Sequence, residues 1–239
     1  GSFMKLFGHF GLPQPWTFDH WQRALTHPQV MRSLGNTMIL GVGSAVVGMA
    51  VFSLIAYVIV KGKFFGRHTL DFLTWLPTTI PGIVISLGFL FLFVGTPIFR
   101  PLYGTMWVLI IAVLLATMTV GVQIIKGSIT QLGDELEEAS VVSGASRLYT
   151  FWRITLPLIA PAVVAVGLQI FATAVSVIGI IALIGTGANQ PLSILQLVYL
   201  DNGHLETASV VGIVILGLTV GAALLARWVG LRTGAGREH

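Results

Sequence analysis

A chain of 239 residues that is 55% hydrophobic and only 9% charged cannot clothe itself in the charged surface of a soluble domain, which takes about a quarter of its residues. The net charge of +4 comes from Lys and Arg beside long apolar runs, so it marks membrane topology rather than a nucleic-acid surface. With no cysteine in the chain, disulfides, thiolate metal sites and a thiol nucleophile are excluded.

Residues 1–35 read as an extracytoplasmic lead-in. Gly1–Leu12 is too short and too polar to cross a bilayer or to act as a signal. Trp16–Arg32 mixes polar and apolar residues among prolines 13, 15 and 28, in the manner of an interfacial helix. Beyond it, residues 36–60, 72–99, 101–125, 154–200 and 207–226 contain no Asp, Glu, Lys or Arg. About 20 such residues are needed to span the hydrocarbon core as a helix. The runs are continuous rather than alternating, which excludes barrel strands. The expected fold is an all-α, polytopic bundle with about five spans, at 36–60, 70–94, 103–125, 155–184 and 207–228.

Lys61, Lys63 and Arg67 follow the first span, Lys126, Arg147 and Arg153 lie between the third and fourth, and Arg227, Arg232 and Arg237 follow the fifth. The positive-inside rule then places 61–69, 126–153 and the tail 231–239 in the cytoplasm, and the N-terminus outside. An outside N-terminus needs an upstream span to carry it there. The expectation is therefore a fragment, or the C-terminal part of a longer polypeptide, whose permease domain runs over 36–230.

Within the spans, Pro77, Pro81 and Gly82 should kink or break the second. Intramembrane polar groups are candidates for a translocation path: Gln123 in the third span, and Gln169, Thr173 and Ser176 on one face of the fourth. Interhelical hydrogen bonding is the competing role for these side chains. Ser44 with Gly48, and Gly217 with Gly221, suit close helix packing. The six histidines are scattered without metal-ligand spacing, so no metal site is assigned.

The segment 126–157 carries the chemistry. Asp134 is a good N-cap, and Glu135 and Glu137 favour the positive end of a helix dipole. Leu136, Ala139, Val142 and Ser143 recur at helical spacing. Gly144 supplies the left-handed residue that ends this helix, Ser146 caps a second, and Pro157 suits the first turn of the next span. Anionic headgroups repel an acidic helix of small residues. It reads either as a solvated loop or as an element that docks in a groove of another protein.

The wording of this loop resembles the permeases of ATP-binding-cassette importers, whose loop reads E-A-A, three residues, G, nine residues, I, one residue, L-P. The chain has Glu138-Ala139-Ser140, Gly144, Ile154 and Leu156-Pro157 at that spacing, with Ser140 in place of the second Ala. The resemblance covers about 16–230 and implies the type I importer permease fold. It implies that Glu138, Ala139, Ser140, Gly144, Ile154, Leu156 and Pro157 couple the chain to a separate ATPase. Glu138 would make polar contacts in the ATPase cleft, Ala139 and Ser140 would permit close approach, and Gly144 would turn the chain.

ATP and Mg would be bound by that partner, because no phosphate loop of the G-x-x-x-x-G-K-[S/T] type occurs here. The implied partners are ATP-binding-cassette ATPase subunits, a second permease half (identical or not), an extracytoplasmic substrate-binding protein and the lipid bilayer, with no nucleic acid. The implied location is a bacterial or archaeal plasma membrane. Looser likenesses, at Leu76-Pro77, Ile80 to Val84, Tyr103 to Thr105 and Asp201 to Gly203, point to the branch that imports ferric iron, thiamine, polyamines and aminophosphonates. Where ferric-type permeases often carry Arg-Glu in the fourth span, Ser176-Val177 stand here.

No catalytic residues are assigned. An intramembrane enzyme would need a paired Asp, a zinc motif or an activated serine, and none is present. A secondary transporter or channel without an ATPase is the alternative. It explains the spans but not the loop spacing.

Overall fold

The computed structural model describes residues 1–8, 11, 16–133 and 135–234. Pro28, fixed in φ and lacking an N–H, opens the first long helix, and His27 caps it by accepting from the Gln29 N–H at 3.3 Å. Helix α2 (Pro28–Lys61), preceded by the short α1 (Asp19–Thr26), has 34 residues. At 1.5 Å per residue it is about 50 Å long, more than a bilayer core requires. One of its faces is built of small residues, Ser33, Thr37, Gly41, Ser44 and Gly48, and all are buried.

The second expected span is two helices, α3 (Arg67–Thr79) and α4 (Gly82–Gly95), bent by 106°. The prolines explain the break. Ile80 takes an extended conformation (φ −105°, ψ 127°), as the residue before a proline prefers, and Pro81 is the N-cap of α4. Helix α5 (Met106–Thr130) is the third span.

After the loop helices α6 (Glu135–Val142) and α7 (Arg147–Thr150), the chain runs as continuous helix from Leu148 to Ser176, the last part being α8 (Leu156–Ser176). Pro157 has no N–H to offer Arg153. The turn before it widens to a π-helix over Phe151–Thr155, in which the Leu156 N–H bonds to the Phe151 carbonyl five residues back. Pro157 thus stands in the first turn of α8, as expected, while the helical path continues upstream of it through the π-turn.

The fourth span ends at Ser176, eight residues before the expected 184. Residues 177–191 are irregular and contain Gly179, Gly185, Gly187 and Pro191. Ile180, Ile181 and Ile184 are buried in the main core, beside Leu109, Val113 and Phe93. Buried non-helical backbone needs hydrogen-bond partners within the protein, and side chains supply several here. The Asn36 amide donates to the carbonyls of Ala188 and Gln190, both at 3.1 Å. Ser86 Oγ accepts from the Leu183 N–H at 3.1 Å. Asn189 accepts from the Thr186 N–H at 2.7 Å and donates to the Thr105 carbonyl at 3.0 Å.

Helices α9 (Leu192–Asp201) and α10 (Leu205–Gly234) follow and enclose a second core of Val175, Leu192, Leu195, Val211 and Ile215. The five expected spans thus correspond to four continuous spanning helices and one bent pair.

Helices α2, α5 and α8 form the centre, and glycines set their distance. A Cβ on Gly121 would lie 2.5 Å from the Phe52 ring, and one on Gly48 2.5 Å from Ile170 Cδ1. Gly217 and Gly221, expected to serve the same purpose, meet open space. We predict that Gly121→Leu lowers the thermal unfolding midpoint of the detergent-solubilised protein markedly, since overpacking a core costs about 1–3 kcal/mol. Gly217→Leu should leave it unchanged or higher, and equal losses for both would show that the α2–α5 contact does not set stability.

Candidate functional site

The acidic loop is a pair of short helices closed by a sharp turn. Gly144 has φ +82°, the left-handed conformation that a side chain disfavours. The Ala145 N–H returns to the Ser140 carbonyl at 3.1 Å, the six-to-one bond of a Schellman C-cap. Ser146 caps α7 by accepting from the Tyr149 N–H at 3.3 Å. The expected left-handed Gly144 and the Ser146 cap are both present in this geometry. Asp134 lies outside the described residues, as do the side chains of Leu136, Glu137 and Glu138.

The Ser140 side chain is buried, with Oγ 2.8 Å from Thr150 Oγ1. Because the Thr150 hydroxyl donates to the Ser146 carbonyl at 3.1 Å, the Ser140 hydroxyl must be the donor between them. Ser140 therefore ties α6 to α7. Ala139 is exposed, and so are the apolar Val142, Leu148, Tyr149 and Trp152, beside the exposed Glu135, Ser143 and Ser146.

At the root of the loop, Ile154 and Leu156 are half-buried, Leu156 against the main core, while Pro157 is exposed. Phe151, which the sequence reading passed over, is fully buried with its ring 4.8 Å from that of Tyr57 on α2.

The path candidates separate into two groups. Gln169, Thr173 and Ser176 share the outward side of α8: Gln169 and Ser176 are exposed and Thr173 is half-buried. The Ser176 hydroxyl donates to the Ala172 carbonyl at 3.0 Å. Gln123 is engaged elsewhere, its amide donating to Asp71 Oδ1 at 3.3 Å and to Thr74 Oγ1 at 3.4 Å across the α3–α5 seam.

Beside Ser176 the two interruptions of the spans meet. A Cβ on Gly82, at the start of α4, would lie 3.2 Å from the Ile180 nitrogen and 3.5 Å from the Gly179 carbonyl carbon. A side chain at Gly82 would press on the backbone of the break after α8, so glycine lets the two breaks seat closely. Ile80, Ile83 and Ile178 are exposed around this junction. The glycines of 179–187, inside what composition presents as one long span, were the sequence cue to the second break.

Comparison with known proteins agrees with this architecture. Residues 49–234 match the family described as binding-protein-dependent transport system inner membrane component. The ferric transport system permease protein FbpB of Actinobacillus pleuropneumoniae is 29% identical over 198 residues, 82% of this chain and 28% of that protein. The molybdate/tungstate transport system permease protein WtpB of Pyrococcus abyssi is 21% identical, over 87% of this chain and 81% of that one. The chain thus spans about a quarter of the ferric relatives it matches.

Among solved structures, a bacterial ABC transporter that imports the acidic polysaccharide alginate aligns with a TM-score of 0.73 at 20% identity, over 90% of this chain and 85% of that one. The MetNI methionine ABC transporter aligns at 0.59 and 19% identity, over 84% of this chain and 94% of its own. These likenesses concern the fold. With four continuous apolar spanning helices, a bent pair and a family match over residues 49–234, the chain belongs to the inner-membrane components of binding-protein-dependent transport systems.

Proposed function

We propose that this chain is a permease subunit of an ATP-driven importer and that residues 134–157 couple it to a separate ATPase. The observation that supports this most is the loop itself. Two helices at the required spacing are locked together by Ser140 and Thr150, turned by a left-handed Gly144 and anchored through Phe151 beside Tyr57. That is a small rigid body with exposed apolar side chains, mounted directly on a spanning helix. In this reading ATP and Mg bind to the ATPase, the loop side is cytoplasmic, a second permease half completes the path, and a binding protein delivers substrate from outside.

The chemistry is a shift between two conformations. Moving such an equilibrium from 1:99 to 99:1 requires the favoured state to bind the effector about 10⁴-fold more tightly. ATP supplies this only if the ATPase holds the loop differently in the two states. The path runs along the outward side of α8 past Gln169, Thr173 and Ser176 to the junction of the two breaks, where Ile80, Ile83 and Ile178 form an apolar constriction.

Ferric iron is the first substrate to test, because ferric permeases stand among the relatives. Molybdate or tungstate is the second, because the WtpB alignment covers most of that relative's length. The path candidates are uncharged, so selection between a cation and an oxyanion falls to the binding protein.

Two predictions follow from this reading. Gly144→Val places a β-branched residue at φ +82°, a strain of about 1–2 kcal/mol, while its Cβ meets no neighbour in this chain. The variant should insert normally, yet binding-protein-stimulated ATP hydrolysis by the reconstituted complex should fall about tenfold. Wild-type stimulation would reduce the loop to a linker and favour a channel or secondary transporter.

The absence of native cysteine allows a direct test of the path. Single cysteines at Gln169 and Ser176 should react with a charged thiol reagent at a rate that changes when ATP and vanadate are added. A cysteine at Ile39, on the exposed side of α2, should stay unreactive in both conditions. Nucleotide-independent labelling of all three would remove α8 from the path.

A further inference from the structure

Three polar side chains on one side of α5 face three on one side of α3. Lys126 pairs with Asp71, both about a quarter exposed. Gln123 donates to Asp71 and Thr74. Thr119 Oγ1 donates to the Thr74 carbonyl at 2.6 Å and lies 3.3 Å from Thr78 Oγ1. The spacings 119, 123, 126 and 71, 74, 78 are those of one helical face each, so the seam is a zipper about 10 Å long. An ion pair closes it at the end where α5 leads into the loop. Asp71 and Lys126 are 55 residues apart in sequence, and neither has a role in the loop pattern or among the path candidates.

Beyond Thr79 the attachments change. Helix α4 is held by the 177–184 segment, through Gly82 against Ile180 and through Ser86 accepting from Leu183. An apolar cavity of about 420 Å³ opens inside the bend, lined by Leu73, Leu76, Pro77, Phe89, Leu115 and Met118. A bend flanked by two separately fastened helices, with empty space on its inner side, is built to change its angle. Close-packed helix pairs, by contrast, move as units.

We propose that Asp71 and Lys126 are positioning residues that clamp α3 to α5, so that the loop-side half of the broken span follows the loop and the bend at Ile80–Pro81 takes up the movement. This rests on the reading of 134–157 as the coupling element. In that frame the clamp carries displacement from the loop to the apolar junction without passing through α8. Losing the ion pair separates hydrolysis from transport while the loop itself stays intact.

The test uses the full permease with its ATPase and binding protein, spin-labelled at introduced cysteines. One pair, Phe72→Cys with Ile124→Cys, sits on exposed sites of α3 and α5; another, Phe72→Cys with Phe91→Cys, sits across the bend. The first distance should be narrow and indifferent to ATP plus vanadate, while the second shifts.

Asp71→Asn should broaden the first distance without nucleotide. It should also lower substrate transported per ATP by about fivefold or more, with basal hydrolysis retained. Lys126→Gln provides an independent variant should Asp71→Asn fail to insert. The reversed pair Asp71→Lys with Lys126→Asp should narrow the distance again and restore transport. An unchanged α3–α5 distance in both single variants, or a reversed pair no better than they are, overturns the clamp. Gly144→Val separates the two claims: it is expected to abolish the response to the ATPase yet leave the α3–α5 distance narrow, so the clamp is read whether or not the coupling reading holds.

Discussion

A backbone that leaves the helix inside an apolar bundle must find hydrogen-bond partners within the protein, and much of this chain is arranged around two places where it does so. At Ile80–Pro81 the proline limits the loss, because it brings no N–H to satisfy. At 177–191 the debt is larger, and Asn36, Ser86 and Asn189 supply donors and acceptors from α2, α4 and the segment itself. These side chains come from positions far apart in sequence. The irregular segment thus depends on the helices around it for its hydrogen bonds, and it links them in turn.

Lipid tails are as apolar as leucine, so burying leucine does not by itself bring spanning helices together. Close van der Waals contact and interhelical hydrogen bonds do. The centre of the bundle follows that rule: the small-residue face of α2 admits Ile170 and Phe171 of α8, and Gly121 of α5 admits Phe52. The α3–α5 contact is of the other kind, polar along its length. A glycine contact is short-ranged and holds two backbones at one distance. A charged, hydrogen-bonded seam resists separation but tolerates small sliding. The two kinds of contact thus divide the molecule into a fixed frame and a fastened arm.

How far the sequence revealed this depends on whether the cue was local. The number of spans, the break at Pro77–Gly82, the left-handed Gly144 and the Ser146 cap were legible, because charge-free length, proline and capping chemistry act within a few residues. The end of the fourth span was not. Residues 177–184 are apolar like the helix before them, so composition runs the span on; the local cue was the glycines of 179–187, while the bonds from Asn36 and to Ser86 that hold the segment come from distant positions. Gln123 was singled out for being polar in a span, yet its purpose depended on where Asp71 would lie, 52 residues away. Ser140 was read as a small residue tolerated in place of alanine, and its hydroxyl is also bonded within the loop.

That last point bears on how such a loop works. An isolated helix of eight residues is far too short to persist in water, so α6 (Glu135–Val142) needs support that its own sequence does not provide. The Ser140–Thr150 bond and the Ala145 return bond supply it by joining α6 to α7. Through α7 and the π-turn, both are continuous with α8. A docking element ordered beforehand loses little conformational entropy on meeting a partner, leaving more of the contact energy to distinguish one partner state from another. In the proposed coupling role, a push on Ala139 or Val142 would reach α8 through these hydrogen bonds and the fully buried Phe151 rather than through slack chain. Under the coupling role proposed for this loop, serine at position 140 stiffens it, and is not a neutral exchange of one small residue for another.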